Sequence, residues 1–226
     1  LHTHLAETVA ENDFCLERFG KRPLELMEEL GWIGPDVWFA HGVHFDAGEV
    51  GRLGASRTGV AHCPSSNMRL GSGAAPVRDL LAAGAPVGLG VDGAASNEDY
   101  DLLREVHQAL LLGRLRAALL GDPDAAGSFD TGTAWHLATR GGAACLGLDQ
   151  DQGSLETGRR ADLALYRPDD LGRAGIEDPL TALALAPPAR AQFVVVNGRV
   201  VVREGRLVNA DEEQLAAELG RIAVAR

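Results

Sequence analysis

Four short apolar segments, each ending in polar side chains, constrain the fold of this chain more than any other feature of its sequence. Strand-like segments that alternate with helical patterns predict an α/β fold with a parallel sheet. The segments stay apolar on both faces until their last residues, so helices are expected to cover the sheet on both sides. The four predicted strands are Leu1–Ala6, Val37–Val43, Gly59–Pro64 and Pro86–Asp92.

The helical patterns lie between and after these strands. Thr8–Leu30 predicts two helices, because Gly20 to Pro23 interrupts its periodicity. The helix predicted over Thr133–Leu146 has Thr131 or Thr133 as its expected N-cap, since a hydroxyl there can accept a hydrogen bond from the first turn. The other predicted helices are Asp46–Leu53, Ala75–Ala83, Asp101–Leu120 and Thr133–Leu146.

A change of pattern after Gly147 predicts a domain boundary, with one unit at 1–147 and a second at 148–226. The second unit shows short strand patterns around an Asn197-Gly198 turn, which favours a type I′ hairpin. We predict a small β unit there, followed by a terminal helix over Asp211–Ala225. Its predicted strands lie in Gly153–Gly158, which also includes a turn, and over Ala161–Arg167, Phe193–Val196, Arg199–Arg203 and Arg206–Val208.

Composition excludes several classes of partner. The net charge of −11 and the lack of a basic run argue against nucleic acid, and no apolar run approaches the ~20 residues of a membrane span. Cys15, Cys63 and Cys145 are few and far apart, which favours a reducing, cytoplasmic compartment. A small, neutral or weakly charged substrate is therefore expected.

Metal-capable side chains stand at the ends of the four predicted strands. The first strand leads into His4 and Glu7, the second carries His41 with His44 beyond it, the third has His62, and the fourth ends at Asp92. The carboxyl ends of parallel strands meet at one edge, where α/β proteins bind their ligands. Spacings of 37 residues from His4 to His41 and 30 from His62 to Asp92 suit single βα units.

Imidazole and carboxylate groups without thiolate suit one divalent metal, Zn²⁺ first and Fe²⁺ as the alternative. Such a metal lowers the pKa of a bound water toward ~7 and makes hydrolysis possible at neutral pH. Glu7 lies three residues after His4 and is the expected proton shuttle. The residue types therefore predict a metal-dependent hydrolase.

With these residues in place, the chain resembles the amidohydrolase superfamily, within it the branch of 8-oxoguanine deaminases and hydroxytriazine aminohydrolases. The resemblance extends over nearly the whole chain, because several motifs occur in the family's order and spacing. They are His2-Thr-His-Leu-Ala-Glu-Thr8, Trp38-Phe-Ala-His-Gly-Val-His-Phe45, His62-Cys-Pro-Ser-Ser-Asn-Met-Arg-Leu70, Val87-Gly-Leu-Gly-Val-Asp-Gly93 and Gly153-Ser-Leu-Glu-Thr-Gly158.

The resemblance implies a (β/α)₈ barrel beside a small β-sandwich. The four predicted strands would be strands five to eight, so the chain would be the C-terminal half of such a barrel plus part of the sandwich. Strand one of these proteins bears a His-x-His metal pair. His2-Thr-His4 has that form, but the Leu-Ala-Glu7 after it matches the family's fifth-strand motif. Since the chain also begins within a predicted strand, we expect an N-terminal part to be missing.

The same resemblance implies a role for each residue. His4 would be a metal ligand, and Asp92 would be both a ligand and the base that takes a proton from the attacking water. His41 would orient or polarise that water and is a further ligand candidate. Glu7 would protonate the ring and the leaving ammonia, and would also contact the substrate. The expected reaction is hydrolytic deamination of a nitrogen heterocycle, with 8-oxoguanine converted to urate and ammonia as the leading case.

Several alternatives remain beside this hypothesis. The substrate could be guanine, isocytosine or a hydroxytriazine, because the Ser96–Asp101 loop departs from the family pattern next to the expected substrate site. Asn67, Ser96 and Asn97 are further candidates for substrate binding, and the full-length protein is expected to form homo-oligomers. From another class, the chain could be an inactive truncated fragment, since half a barrel exposes strand edges. A nicotinamide-dependent enzyme is disfavoured, because no glycine loop follows the first strand.

Overall fold

The computed structural model describes residues 1–186 and 189–224, which form two separate sheets. The first is a four-stranded parallel sheet in the order β1-β2-β3-β4, so the predicted parallel sheet is confirmed. Adjacent strands pair in continuous register, with His4 beside Ala40 and Val60 beside Val87. The strands are β1 His2–Leu5, β2 Trp38–His41, β3 Gly59–His62 and β4 Val87–Leu89.

Helices connect these strands. The predicted break is confirmed: Gly20 ends the first helix with a φ of 68°, and Pro23 begins the second. A short helix over Pro64–Leu70 was not predicted, because its seven residues are too few to show a helical periodicity. Pro64 at its first position and Gly71 at its end bound this turn of helix. The helices are α1 Val9–Phe19, α2 Pro23–Glu29, α3 Ala47–Ser56, α4 Pro64–Leu70, α5 Val77–Ala82 and α6 Leu102–Leu119.

The helix predicted over Thr133–Leu146 is interrupted in the structure. It consists of α7 Thr131–His136, a π-helical segment Leu137–Gly141 and α8 Gly142–Cys145. The predicted N-cap at Thr131 or Thr133 is wrong, because the carboxylate of Asp130 accepts the Thr133 N–H at 2.7 Å and so caps the first turn. Close contact with β4 requires glycine here, since a Cβ on Gly141 would collide with the Val87 carbonyl.

The second sheet is antiparallel, in the order β5-β6-β7-β8. Its central hairpin is confirmed, with Asn197 and Gly198 both at positive φ in the turn. The strand predicted within Gly153–Gly158 is wrong, because these residues form turns with positive φ at both glycines. The terminal helix is confirmed as α10, but its predicted end at Ala225 lies outside the described residues. The elements are β5 Leu163–Leu165, α9 Pro179–Leu185, β6 Phe193–Val196, β7 Arg199–Arg203, β8 Arg206–Leu207 and α10 Glu212–Val224.

The hydrophobic core lies between the parallel sheet and its helices. Phe39, Val60 and Val87 share one face of the sheet and are fully buried against apolar side chains of the helices. Burial of such a side chain stabilises the fold by about 1.5–3 kcal/mol. The packing of these side chains against the helices therefore holds the strands, and with them the strand ends, in fixed positions. No helix in the described ranges is both long and apolar enough to cross a membrane.

Candidate active site

Side chains from three strand ends converge at the carboxyl edge of the parallel sheet. His41, the last residue of β2, is central: its Nε2 lies 3.1 Å from His4 Nδ1, 3.7 Å from a Glu7 oxygen and 3.9 Å from an Asp92 oxygen. His4 Nε2 lies 3.8 Å from the other Asp92 oxygen. The structure thus brings together all four residues to which the sequence analysis gave catalytic or metal-binding roles.

The donor set fits a divalent metal. His4, Glu7 and His41 each offer a ligand atom, and these atoms lie within 4.8 Å of one another. Asp92 adds a second carboxylate beside both imidazoles. Two imidazole nitrogens with carboxylate oxygens and no thiolate are the donors that catalytic zinc and non-haem iron prefer. Glu7, assigned to proton transfer by the sequence analysis, belongs to the same cluster as the ligand candidates.

The backbone at these strand ends adopts an unusual conformation. Ala6, His41 and Asp92 have φ values of 51°, 71° and 59°, in the left-handed region that non-glycine residues rarely occupy. Such conformations cost of order 1–3 kcal/mol and persist only where the surroundings enforce them. At Ala6 the enforcing group is Glu11, whose carboxylate accepts the N–H groups of Ala6 and Glu7 at 3.0 and 2.8 Å.

His41 is fully buried and is held from behind by α4. Its Nδ1 lies 2.8 Å from the side-chain oxygen of Asn67, which is also fully buried. This contact directs the opposite ring nitrogen of His41 toward Glu7 and Asp92. Asn67 was predicted as a candidate for substrate binding, and that role stays a prediction.

Asp92 is fixed by two hydroxyl groups. Ser66 and Ser96 donate hydrogen bonds to one of its oxygens at 2.6 and 2.9 Å. Burial raises the pKa of Asp92, but these hydrogen bonds and the nearby His41 together lower it below its ordinary value. Asp92 is therefore ionised at neutral pH. Ser96 was predicted as a candidate for substrate binding, whereas Ser66 was missed although it stands inside one of the recognised motifs.

A buried carboxylate supports this arrangement from α6. Glu105 accepts the backbone N–H of Ser65 at 3.0 Å and the side-chain N–H of Asn97 at 3.0 Å. Burial raises its pKa, although hydrogen bonds from both partners oppose the rise. Asn97 also donates to the Val91 carbonyl at 2.9 Å, so the third substrate-binding candidate also has partners within the protein. Glu105 was not predicted as a site residue, and the position of this carboxylate on the apolar stripe of α6 was the available signal.

Other residues near the strand ends are not part of the group of potential metal ligands. His62 is buried, and burial lowers its pKa to about 3, so its ring is neutral. Burial raises the pKa of Cys63 to about 12, which disfavours a nucleophilic thiolate. The acidic loop after β4 pairs with arginines: Glu98 contacts Arg69 at 2.6 Å, and Asp99 contacts an arginine of α6 at 2.8 Å.

Comparison with known proteins gives three consistent relatives. 8-Oxoguanine deaminase from Pseudomonas aeruginosa is 50% identical over 218 residues, which cover 96% of this chain and 46% of that protein. Isoxanthopterin deaminase from an unknown prokaryotic organism is 42% identical, over 98% of this chain and 48% of that protein. The crystal structure of atrazine chlorohydrolase from Arthrobacter aurescens, complexed with zinc, superposes with a TM-score of 0.89 at 36% identity, over 98% of this chain and 48% of that one.

The chain spans about half the length of the curated relatives it matches. The sequence profile of the Amidohydrolase family matches residues 1–201, which include the whole parallel sheet and the antiparallel sheet as far as the middle of β7. The match includes all four residues at the carboxyl edge of the parallel sheet. The chain belongs to the amidohydrolase family.

Proposed function

We propose that the protein containing these residues is a metal-dependent hydrolytic deaminase of a nitrogen heterocycle. The observation that carries the proposal is the convergence of His4, Glu7, His41 and Asp92 at one edge of the parallel sheet. Two imidazoles beside two carboxylates are the groups that such hydrolysis requires for metal binding and for separate proton transfers.

We propose further that the parallel sheet forms strands five to eight of a (β/α)₈ barrel, and that the antiparallel sheet is part of a β-sandwich. The parallel order of the strands supports this arrangement, as does the half-length match to relatives. The site then lies at the carboxyl ends of barrel strands, the usual place for active sites in this fold. Domain limits of 1–147 and 148–226, homo-oligomerisation and a cytoplasmic location remain predictions from the sequence.

His4 and Asp92 are the proposed metal ligands, with His41 as a further candidate and zinc as the proposed ion. When bound, the ion supplies Lewis-acid activation of water. Asp92, kept ionised by its serine partners, accepts a proton from the water. His41 orients the water through its Nε2. The two protons that the water gives up, the first by way of Asp92, are relayed by Glu7 to a ring nitrogen and to the departing ammonia, so both carboxylates return to their starting state. Glu7 also contacts the substrate.

The proposed substrate is 8-oxoguanine, and the identity of 50% to an 8-oxoguanine deaminase supports this choice. Isoxanthopterin, guanine, isocytosine and a hydroxytriazine are the alternatives with the same chemistry. In each of these five compounds the attacked carbon lies between two nitrogens. The described cluster alone therefore does not select one substrate among them.

Ammonia release from a substrate panel tests the proposal. The zinc-loaded protein containing these residues is offered each of the five compounds, beside its Asp92→Asn and Glu7→Gln variants. Release from one ring, reduced at least ~10²-fold in both variants, supports the mechanism and identifies the substrate. Asp169→Asn is the control, because its exposed carboxylate pairs with Arg167 outside the cluster. Bound zinc without release from any ring refutes the deaminase proposal, and this 226-residue chain assayed alone tests the inactive-fragment alternative.

A further inference from the structure

Two adjacent residues of α4 hold two different groups of the active site. Ser66 donates to Asp92 at 2.6 Å, and Asn67 contacts the Nδ1 of His41 at 2.8 Å. Ser66 and Asn67 have no exposed surface. This short helix thus sets the orientation of the Asp92 carboxylate, which follows β4, and of the His41 imidazole, which ends β2.

The contact between Asn67 and His41 has a chemical consequence. An amide oxygen can only accept a hydrogen bond, so in this orientation of the Asn67 amide the hydrogen bond requires a proton on the Nδ1 of His41. In a neutral imidazole the other nitrogen then has a lone pair. That nitrogen, Nε2, is the one that lies 3.1 Å from His4 and 3.7 Å from Glu7.

We propose that Asn67 is a positioning residue that fixes His41 in the Nδ1–H tautomer, so that the Nε2 lone pair points into the cluster. The catalytic consequence rests on the proposed function, but the tautomer itself does not. A lone pair at Nε2 can accept a proton from water or bind a cation, whereas an Nε2–H could do neither. Asn67 therefore acts through His41 and not by contact with the substrate.

Glu105 gives α4 the rigidity that this role requires. A seven-residue helix is too short to be stable by itself, so its orientation must come from tertiary contacts. The Glu105 carboxylate accepts the N–H of Ser65 in the first turn of α4 and also holds Asn97. We place Ser66 beside Asn67 as a second positioning residue, which acts through Asp92.

The tautomer can be measured directly on the chain by ¹⁵N NMR with labelled histidine, in the absence of metal. His41→Gln identifies the His41 signals among those of the seven histidines. We expect a protonated Nδ1 and an unprotonated Nε2 in the unmodified chain. Asn67→Leu removes the acceptor at similar size and is expected to abolish this preference. Asn67→Asp retains an oxygen at the same place and is expected to preserve it.

Thr58→Val is the matched control. Thr58 is fully buried and accepts the Gly34 N–H at 2.8 Å, so the variant loses a buried hydrogen bond away from His41. Its His41 signals are expected to match the unmodified chain. An Nε2–H form in the unmodified chain, or an unchanged tautomer in Asn67→Leu, would overturn the proposal. If Asn67→Leu does not fold, the unmodified chain and Asn67→Asp still decide it.

Kinetics of the zinc-loaded protein separate positioning from substrate contact. We expect Asn67→Leu to lower kcat by ~10–100-fold, with KM changed less than ~3-fold, and Asn67→Asp to recover most of kcat. A raised KM with unchanged kcat would instead assign Asn67 to substrate binding and overturn the proposal. Absence of activity in the unmodified protein would count against the proposed function alone, because the tautomer is measured independently.

Discussion

The two sheets of this protein differ in how deeply their strands are buried. In the parallel sheet, Phe39, Val60 and Val87 have no exposed surface, and helices pack over them. In the antiparallel sheet, every residue of β5, β6, β7 and β8 is half-buried or exposed. The antiparallel hairpin is thus built mainly by local pairing and its Asn197-Gly198 turn, whereas the parallel sheet requires a core.

Buried polar side chains follow the same division. Within the described ranges, nine of the ten buried polar or charged residues lie between His41 and Glu105, in the parallel-sheet region, and the tenth is Arg173. A buried polar group must have a partner at fixed geometry, or it destabilises the fold. The strained strand ends and the hydrogen bonds to His41 and Asp92 occur where the surroundings are rigid enough to enforce them. Burial in the parallel sheet thus provides the fixed geometry that the candidate site needs.

The largest expected difference between the two sheets is in core truncation. Phe39→Ala should lower the free energy of unfolding by about 3–5 kcal/mol, because it removes a fully buried ring and leaves a cavity. Val194→Ala in β6 should cost less than about 1 kcal/mol, since that side chain is only half-buried. Denaturant titration of both variants measures the contrast. Equal losses would show that the antiparallel sheet also depends on a core.

The parallel sheet and the site were predictable from sequence for the same reason. Apolar segments at regular intervals determine the strands, and their last residues determine which side chains meet, so His4, His41 and Asp92 could be assigned to one edge without coordinates. Glu7 followed from its distance to His4 along the chain. These inferences need only the periodicity of strands and the geometry of a parallel sheet.

The supporting contacts were not predictable in the same way. Ser66 and Asn67 belong to α4, a helix too short for its periodicity to be recognised in the sequence. Glu105 accepts a hydrogen bond from Ser65, which lies 40 residues earlier in the chain. Such pairings depend on tertiary packing, which no local pattern contains. Glu11 is a partial exception. Thr8-x-x-Glu11 has the spacing of a capping box, and Thr8 does accept the Glu11 N–H at 3.2 Å, but the Glu11 carboxylate accepts the N–H groups of Ala6 and Glu7.

The second test compares a buried ion pair of the parallel-sheet region with an exposed ion pair near the antiparallel sheet. Arg22 donates two hydrogen bonds to Glu49, at 2.8 and 2.7 Å, and Glu49 is almost fully buried. Arg22→Met should destabilise the chain by about 3 kcal/mol, because it leaves that carboxylate without its partner. Arg167→Met removes the exposed pair with Asp169 and should have no measurable effect. Thermal denaturation of the two variants would contradict the comparison if Arg167→Met were the more damaging.

The third test compares serine–carboxylate hydrogen bonds in the two regions. The expected difference in stability is smaller and depends on pH. Hydrogen bonds from Ser66 and Ser96 help to lower the pKa of Asp92, so their stabilisation is present above the unfolded pKa of ~3.9 and is lost as pH falls through the folded value. Ser96→Ala should therefore cost about 1–2 kcal/mol at pH 7 and less at pH 3. Ser154→Ala, which removes the equivalent contact to the exposed Glu156, should have no measurable effect at either pH. Urea titrations at the two pH values measure these losses of unfolding free energy. An equal loss from Ser96→Ala at both pH values would contradict the prediction.

The smallest expected signal comes from the cysteines, all of which lie in the parallel-sheet region and are buried. Burial raises the pKa of Cys63 and Cys145 to about 12, so only ~10⁻⁴ of each thiol is ionised at pH 8. We therefore expect almost no alkylation of Cys63 and Cys145 by iodoacetamide in the folded chain and full reaction in guanidinium. At denaturant concentrations where hydrogen exchange shows the β6–β7 hairpin opening, the thiols should stay protected, because local opening there leaves the parallel sheet intact. Thiols that react together with hairpin opening would show that the two sheets unfold as one unit, and the comparison between them would fail.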